Sequence, residues 1–524
     1  MLSRQFLNAP LVLLSASLLT ACATAPPTQD PAALSATHGY AYVDLPTTGG
    51  ARIVVKSVPE GKEFEFLRRC VDCNDYGTWL PEGDYVMAQW NEHKWATYPS
   101  FTVKRHQATN LGALVPVSLG EYDFAVLPVQ TPEARQKFDK AVAAQSSHLD
   151  AGNRIEWTPN QLPSVFHVSS PVTGLGLVAD WLMIYERHVN KPPALKQIRA
   201  SKSIDELLAN VKQTMPPVSQ GHAVLPDGSV IYGADMGQIR VRSTDRQWSA
   251  WDTGTLRTIT AVAVAKEGVF AATEDGVILR GGITGQGWAV LKKLPRAEAV
   301  VSLLKTKTHW VVMTAKLGIL APINPVKTTS AVTVYAAKQS DLSDLSELKH
   351  VDFSGPEVWA ARAEAKGDAV YINVLPDLWR LDLQSMTWTR LNVPADVRQF
   401  QLAEQAKMIV AYKSMGIFSK LYTSQDSGGT WQEKETPPLI TTDIYFTKPD
   451  TAVAARWSPG AFSGNFEFLR YEAAANKWVR TDEVPAACRR LVWGPDLTEK
   501  RCVTNGNSIM RRDDQGWQVE YLVE

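Results

Sequence analysis

The chain lacks an excess of charge of either sign. Its 524 residues carry 54 Lys+Arg against 54 Asp+Glu. Without a basic surplus it exerts no long-range pull on polyphosphate, which argues against nucleic acid as a partner. Long apolar runs are missing beyond the N-terminus, so no spanning helix is expected in the body of the chain. Catalytic signatures are missing too. There is no G-x-S-x-G, no P-loop and no dinucleotide fingerprint, and the nine His show neither H-x-x-x-H nor H-E-x-x-H spacing. No metal or cofactor is therefore expected. Triads of Ser, His and Asp assemble only in space and stay open. Asp180 and Glu186 fall on an expected helix and read as surface charges. Cysteine is scarce, with five residues. Tryptophan is plentiful, with 17, which suggests a packing position used repeatedly.

Residues 1–21 hold one charge, Arg4, then an apolar run from Leu11 to Leu19, and end in Leu19-Thr20-Ala21-Cys22. The run has the length of a signal-peptide core, too short to span a bilayer. The last four residues resemble the bacterial lipobox. That resemblance implies lipidation at Cys22 and anchoring by N-terminal lipid. Ala23 stands where an aspartate often retains such proteins at the inner membrane, so the resemblance implies the outer membrane, facing periplasm or cell surface. Residues 22–37 are rich in Pro, Ala and Thr and read as a flexible tether.

Four cysteines remain: Cys70, Cys73, Cys488 and Cys502. An even number in an oxidising compartment suggests disulfides, and closeness in sequence suggests Cys70–Cys73 and Cys488–Cys502. A redox C-x-x-C at Cys70–Cys73 and a four-cysteine zinc site are the alternatives. Asn74-Asp75-Tyr76-Gly77, which follows, reads as turn chemistry rather than as the helix start a thioredoxin-like site needs.

The fold class is mainly β: a small N-terminal β-sandwich over 38–130, a short helical connector over 131–217 and a C-terminal seven-bladed β-propeller over 218–524. In the first part, strands are expected at 40–45, 51–58, 63–68, 84–90, 100–105, 112–118 and 122–129, separated by Gly- and Pro-containing turns. Leu80-Pro81-Glu82-Gly83-Asp84-Tyr85, with Phe101-Thr102-Val103 and Asn110-Leu111-Gly112, resembles carboxypeptidase-regulatory or PEGA-type surface domains, which implies a spacer or adhesion module. The connector shows a helix start at Thr131-Pro132-Glu133, with Phe138, Ala141 and Val142 on one face. A second helix is expected from Leu177 to Val189. A third starts at Ser203 with Glu206 three residues on, and turns Ile204, Leu207, Leu208 and Val211 inward.

From 218 a unit recurs: strand, Gly turn, strand, polar turn, then Trp opening another strand. Its Trp positions are 248, 288, 388, 431, 478 and 517. A copy without Trp at 309–323 fills the one long gap. Seven units of about 44 residues each match the four-strand blade of a β-propeller. Within this repeat, Ser424-Gln425-Asp426-Ser427-Gly428-Gly429-Thr430-Trp431 resembles the Asp-box, S-x-D-x-G-x-T-W, of sialidases and BNR-type propellers. Ser243-Thr244-Asp245-Arg246-Gln247-Trp248 is a degenerate copy. Ser424, Asp426, Gly428, Thr430 and Trp431 then read as structural: Ser and Asp bond turn amides, Gly supplies a positive φ, and Trp covers the gap between sheets. Kelch repeats compete, since Leu378-Trp379-Arg380-Leu381-Asp382 with Trp388 has that pattern, but their double glycine is missing from its usual place in most copies.

A sialidase would also need an arginine cluster, an acid/base Asp and a Tyr activated by Glu. Arg240, Arg242, Arg280, Arg380, Arg470, Arg480 and Arg511 mostly precede the polar turn, where a solvating hairpin residue belongs. No catalytic residue is assigned. The reading is an outer-membrane lipoprotein whose propeller binds or scaffolds a cell-envelope protein or glycan. The alternative is a sialidase-like glycoside hydrolase using the central pocket. An axial pocket of convergent Arg and carboxylates would favour the enzyme, and a face with exposed aromatics would favour binding.

Overall fold

The computed structural model describes residues 31–523, apart from 168–195 and short stretches, chiefly in loops, such as 47–50, 71–73, 95–99, 119–122, 321–325, 358–360, 414–417 and 460–463. The signal segment 1–21, Cys22, Cys73, Asp180, Glu186 and the helix expected at Leu177–Val189 lie outside the described residues.

Two sheets build the N-terminal part. In the larger, His38–Asp44 lies between Ala108–Ser118, to which it runs parallel, and Asp75–Pro81, to which it runs antiparallel. The smaller is built on Ile53–Val58 and Gly83–Trp90. Strand alternation divides the first strand's side chains between two cores. Ala41 and Val43 face the smaller sheet, meeting Ile53, Val55, Tyr85 and Met87. Tyr40 and Tyr42 face the helix Pro132–Ala143, whose Phe138, Ala141 and Val142 are buried against them. Thr131 caps this helix, its hydroxyl accepting from the Ala134 amide at 3.0 Å.

Two sequence readings need correction here. Asn74-Asp75-Tyr76-Gly77 is not a turn, because Asp75–Pro81 is an interior strand. Gly77 sits there for lack of a side chain: a Cβ would lie 1.8 Å from the Tyr40 hydroxyl. Asp75 is buried and paired with Arg69 at 2.6 Å. The connector is not simply helical either. Arg154–Glu156 and Phe166–His167 add to the larger sheet, short pairings with too few residues to show a period. The helix Ile204–Thr214 forms as expected, with Leu207 and Val211 buried. Ser203 accepts from the Glu206 amide, while the Glu206 carboxylate reaches the amide of Lys202 rather than that of Ser203.

From Pro217 onward, seven four-stranded antiparallel sheets follow one another among the described residues, over 217–252, 259–293, 299–357, 363–391, 399–434, 441–483 and 488–521. Each of the repeat units falls on one sheet. The third sheet, the copy without Trp, is the longest, with strands Trp310–Leu320, Val326–Ala337 and Ser346–Glu357. Every sheet uses four strands consecutive in the chain, so no strand is exchanged between the first and last. The arrangement is that of a β-propeller, and its first and last sheets meet through side chains. Val230 and Tyr232 pack with Val492, Val503 and Ile509. Arg242 makes a bidentate pair with Glu520 at 2.6 and 3.0 Å.

The innermost strands are joined by polar side chains, each reaching the main chain of the next sheet. Thr260 donates to the Val300 carbonyl at 2.7 Å, Ser302 accepts from Ala363 at 2.9 Å, Glu364 from Leu402 at 2.7 Å and Gln401 from Phe446 at 2.9 Å, and Arg490 donates to Pro217 at 3.1 Å. An innermost strand has no ladder partner on its axial side, and these bonds satisfy groups that would otherwise be left unpaired away from water.

One residue ties the two parts together. The side chain of Arg257, on the link between the first two propeller sheets, is 2% exposed. It donates to the Leu45 carbonyl at 3.1 Å and pairs with Asp275 at 3.1 Å, Glu133 at 3.5 Å and Asp44 at 3.9 Å. Around it, Ala113, Val115 and Leu127 of the larger sheet, Leu207 and Val211 of the helix, and Met236 and Leu256 of the propeller share one core. Burial works against the Glu133 charge, but Arg257 and Lys137 outweigh it and hold its carboxyl below the usual range. Burial pushes Asp44 up, against Lys137 and Arg257. Removing the guanidinium takes the ion pair from Asp275 and leaves Asp44 and Glu133 to Lys137 alone, at 2.9 and 3.2 Å, in a buried joint. Arg257→Ala is expected to destabilise by about 3–5 kcal/mol in denaturant unfolding, and to expose the joint to limited proteolysis before the sheets melt.

Candidate functional site

The propeller offers an axis and two faces. At the axis, Arg362 pairs with Glu364 at 2.8 Å, and the Tyr445 phenol hydrogen-bonds the same guanidinium. Asn373 fixes the backbone there, its side-chain oxygen accepting from the Arg362 amide at 2.7 Å. Burial, then the nearby Asp443 charge, pushes the Tyr445 phenol well above its ordinary range. Trp493 packs on Tyr445 at 4.7 Å between ring centres. Across the axis, His222 of the first sheet is pushed down to about 4, by burial first and then by the charges of Arg362 and Arg501. The axis thus holds an arginine, carboxylates and a tyrosine, but they are spent on one another. An open hollow of about 180 Å³ lies elsewhere, beside the fourth sheet, lined by Asp377, Arg390 and Val393.

None of the sequence-predicted arginines reaches this cluster. Arg280, Arg380, Arg470 and Arg480 are solvated as expected. Arg240 and Arg242 are not; they are 2% and 8% exposed, within the seam between first and last sheets. Arg511 joins them there, pairing with Glu520 at 3.2 Å. Position in the repeat did not reveal this, because the same strand position that faces water in other sheets faces a neighbour at the seam. Arg257 and Arg362 carried no sequence signal, both lying in links.

The turn at 424–431 is built by its polar side chains. Ser424 donates to Asp426 at 2.8 Å and accepts from the Gly428 amide at 2.8 Å; Asp426 accepts from the Thr430 amide at 2.8 Å and hydroxyl at 2.7 Å. Ser427 and Gly428 have φ of 60° and 93°. These bonds hold the Asp426 carboxyl down at about 2. Ser243 and Asp245 repeat the pattern, with the Gln247 amide on Ser243 at 2.9 Å. So do Thr273 and Asp275, with the Val277 amide on Thr273 at 2.9 Å. Trp431 packs with Tyr371, Leu378 and Leu391 of the preceding sheet. The other repeat Trp side chains lean the same way: Trp478 donates to the Glu435 carbonyl at 2.9 Å, Trp517 to Glu483 at 3.0 Å and Trp248 to the Glu520 carboxylate at 2.8 Å.

Cys488 and Cys502 form a disulfide joining the first two strands of the last sheet. Cys70 is disulfide-bonded. Among the described residues, no cluster of His, Cys, Asp and Glu could hold a metal ion, and no helix is long and apolar enough to cross a membrane.

The faces differ. One carries the links between sheets and the turns between second and third strands. The N-terminal part docks here, through Arg257, Asp275 and Met236. Here too stand the long hairpin of the third sheet, with Leu317 44% exposed, and Phe418 of the fifth sheet, 68% exposed. The opposite face carries the turns of the 424–431 kind.

Trp431→Ala is expected to cost about 3 kcal/mol, the scale for a large aromatic truncated at a packed contact, and Asp426→Ala to lower the melting temperature less. The Asp426 bonds favour folding above the ordinary value of 3.8, a contribution lost as pH falls towards about 2; carboxyl NMR titration reads this directly. For His222 the sign is opposite. The unfolded chain takes up that proton near 6.5 and the folded chain near 4, so stability is full above 6.5 and falls by about 2–3 kcal/mol as pH drops to 4. His222→Gln should flatten that part of the stability–pH curve.

No family model matches the chain, and no curated protein matches it. Solved structures do. YCF48 bound to a D1 peptide matches 57% of this chain and 93% of its own at 10% identity and TM-score 0.41. Kuenenia stuttgartiensis hydrazine synthase matches 56% and 95% at 10% and 0.38. Saccharomyces cerevisiae Sqt1 matches 59% and 85% at 12% and 0.37. Resemblance at this level says nothing of what this chain binds.

Proposed function

We propose that the chain is a lipid-anchored envelope scaffold: a seven-bladed propeller, carrying a small β-sandwich, that binds a protein or glycan on the face where the two parts meet. The observation that carries this is the exposure of Phe418 and Leu317 on that face. Exposed apolar surface marks contact sites where it is contiguous, and among the described residues Phe418 is the most exposed large apolar side chain. The docked N-terminal part and the long third hairpin stand around the same face, and loops held by a rigid scaffold are where recognition concentrates. At the axis, Arg362 is already paired with Glu364 and Tyr445, which leaves a glycosidase reading without support. Anchoring rests on Leu19-Thr20-Ala21-Cys22, with lipid on Cys22 and the outer membrane as the site. The 424–431 turn is read as an Asp-box serving structure alone.

A photo-crosslinking residue at Phe418 or Leu317 should capture a partner in intact envelopes. The same residue at Met386, 41% exposed on the opposite face, should not. Digesting the adduct with protease or glycosidases separates a protein from a glycan partner. Capture at Met386 alone would overturn the choice of face. Cys22→Ala should leave the precursor uncleaved or mislocalised on fractionation, and normal processing would sink the anchor.

A further inference from the structure

The long hairpin of the third sheet outruns the strand beside it. The sheet's first strand, Ala299–Lys305, pairs with its second from Trp310 only as far as Ala315. The second strand continues to Leu320, still paired on its other side with the third strand, Leu317 opposite Thr329 and Leu320 opposite Val326. Among the described residues, Lys316–Leu320 therefore has a ladder on one side only. Lys316, Leu317 and Gly318 are exposed, Leu317 at 44%. A Cβ on Gly318 would meet only the Thr328 hydroxyl, at 3.0 Å. The Lys316 carbonyl accepts from the Ser330 hydroxyl of the third strand at 3.3 Å, so it points towards that strand. Across a trans peptide the next N–H points the opposite way. Leu317 thus turns its amide to the open side, and by strand alternation so does Ile319.

Proteins commonly guard such an edge with proline, charge or a covering loop. The sixth sheet's hairpin also outruns its first strand, which ends opposite Arg456, but there the second strand finishes in Pro459. Lys316-Leu317-Gly318-Ile319-Leu320 holds one charged residue and no proline. A row of outward amides and carbonyls matches the main chain of an extended polypeptide, whose groups recur at the same two-residue spacing. Sugar hydroxyls do not recur at that spacing. A second copy of this chain is the poorer fit. So short an edge falls far below the roughly 1,200 Å² that a stable interface buries, and two rigid rings add only what their faces match, whereas a flexible segment shapes itself to the edge. We propose that Lys316–Leu320 takes an extended segment of a partner protein as an added strand, with an apolar side chain of that segment beside Leu317. The proposal rests on the reading that this face binds a partner, and it selects protein over glycan.

The probe is a capped, fluorescently labelled heptapeptide of alternating Val and Thr, added to the purified full chain. Its anisotropy should rise saturably, and amide hydrogen exchange should slow across residues 316–320. The same peptide methylated on every amide nitrogen keeps its side chains but has no donors, and should not bind. Leu317→Pro removes the outward N–H and leaves the ladder to the third strand, so it should melt close to wild type yet bind the peptide about tenfold more weakly. Leu317→Ala keeps the amide and should bind more tightly than Leu317→Pro. Should Leu317→Pro fail to fold, the methylated peptide makes the same test on wild type. No binding of the peptide, or equal binding by Leu317→Pro or of the methylated peptide, overturns the proposal. So does a dimer in sedimentation that Leu317→Pro dissolves, which would give the edge to a second copy. Photo-crosslinking at Phe418 tests the face separately: capture there without strand addition at Lys316–Leu320 removes the edge and leaves the face, and strand addition without capture does the reverse.

Discussion

Closure of the propeller without a shared strand is the constraint on which the rest of the structure depends. Because each sheet is completed by its own four strands, the first and last are held by side chains alone. The bidentate Arg242–Glu520 pair does this between residues 278 positions apart in sequence. Trp248 donates to the same carboxylate. A buried pair contributes less net stability than its Coulomb energy implies, but it is strict about geometry. Where an apolar seam would tolerate sliding, this one fixes register. The polar links between innermost strands do the same from sheet to sheet, so position is passed round the ring by hydrogen bonds while apolar packing between the sheets supplies the bulk of the stability.

The same principle places the N-terminal part. Apolar residues such as Val115, Leu207 and Met236 supply the contact, yet they would accept several orientations. Arg257 does not. Its guanidinium reaches Leu45, Asp44, Glu133 and Asp275, which come from a strand end, a helix start and a propeller turn. The turn that offers Asp275 is held by Thr273 and a left-handed Gly276, so a local turn motif becomes half of a joint between two parts of the molecule.

What the sequence made legible was whatever repeats or is local. Trp at 248, 288, 388, 431, 478 and 517 marked the outermost strands, because the same gap must be covered in each copy. Thr131 and Ser203 marked helix starts because a cap is a contact over three residues. The interior strand Asp75–Pro81 was hidden, because Asn, Asp and Gly mimic a turn when their reasons for being there, Arg69 and Tyr40, lie elsewhere in the fold. The axial cluster and the seam were hidden for a like reason. Arg362 lies in a link and Tyr445 and His222 on the sixth and first sheets, and no spacing in the chain encodes their approach. Arg240 looked like Arg280 in the repeat, yet one is buried and the other solvated.

That contrast bears on how the molecule can be used. In a ring of similar sheets most junctions are interchangeable, and a residue type is chosen by its place in the repeat. The two exceptional places are the seam and the joint at Arg257, and both involve the first sheet. It meets the last sheet through Arg242 on one side, and Met236 of its turn packs in the joint with the N-terminal part. A change at either place must be felt by the first sheet, since its strands are short and share both cores. The exposed Phe418 and Leu317 stand on the fifth and third sheets instead, away from both. The charged seam and joint are thus committed to holding the molecule in one shape, and the exposed Phe418 and Leu317 take no part in either.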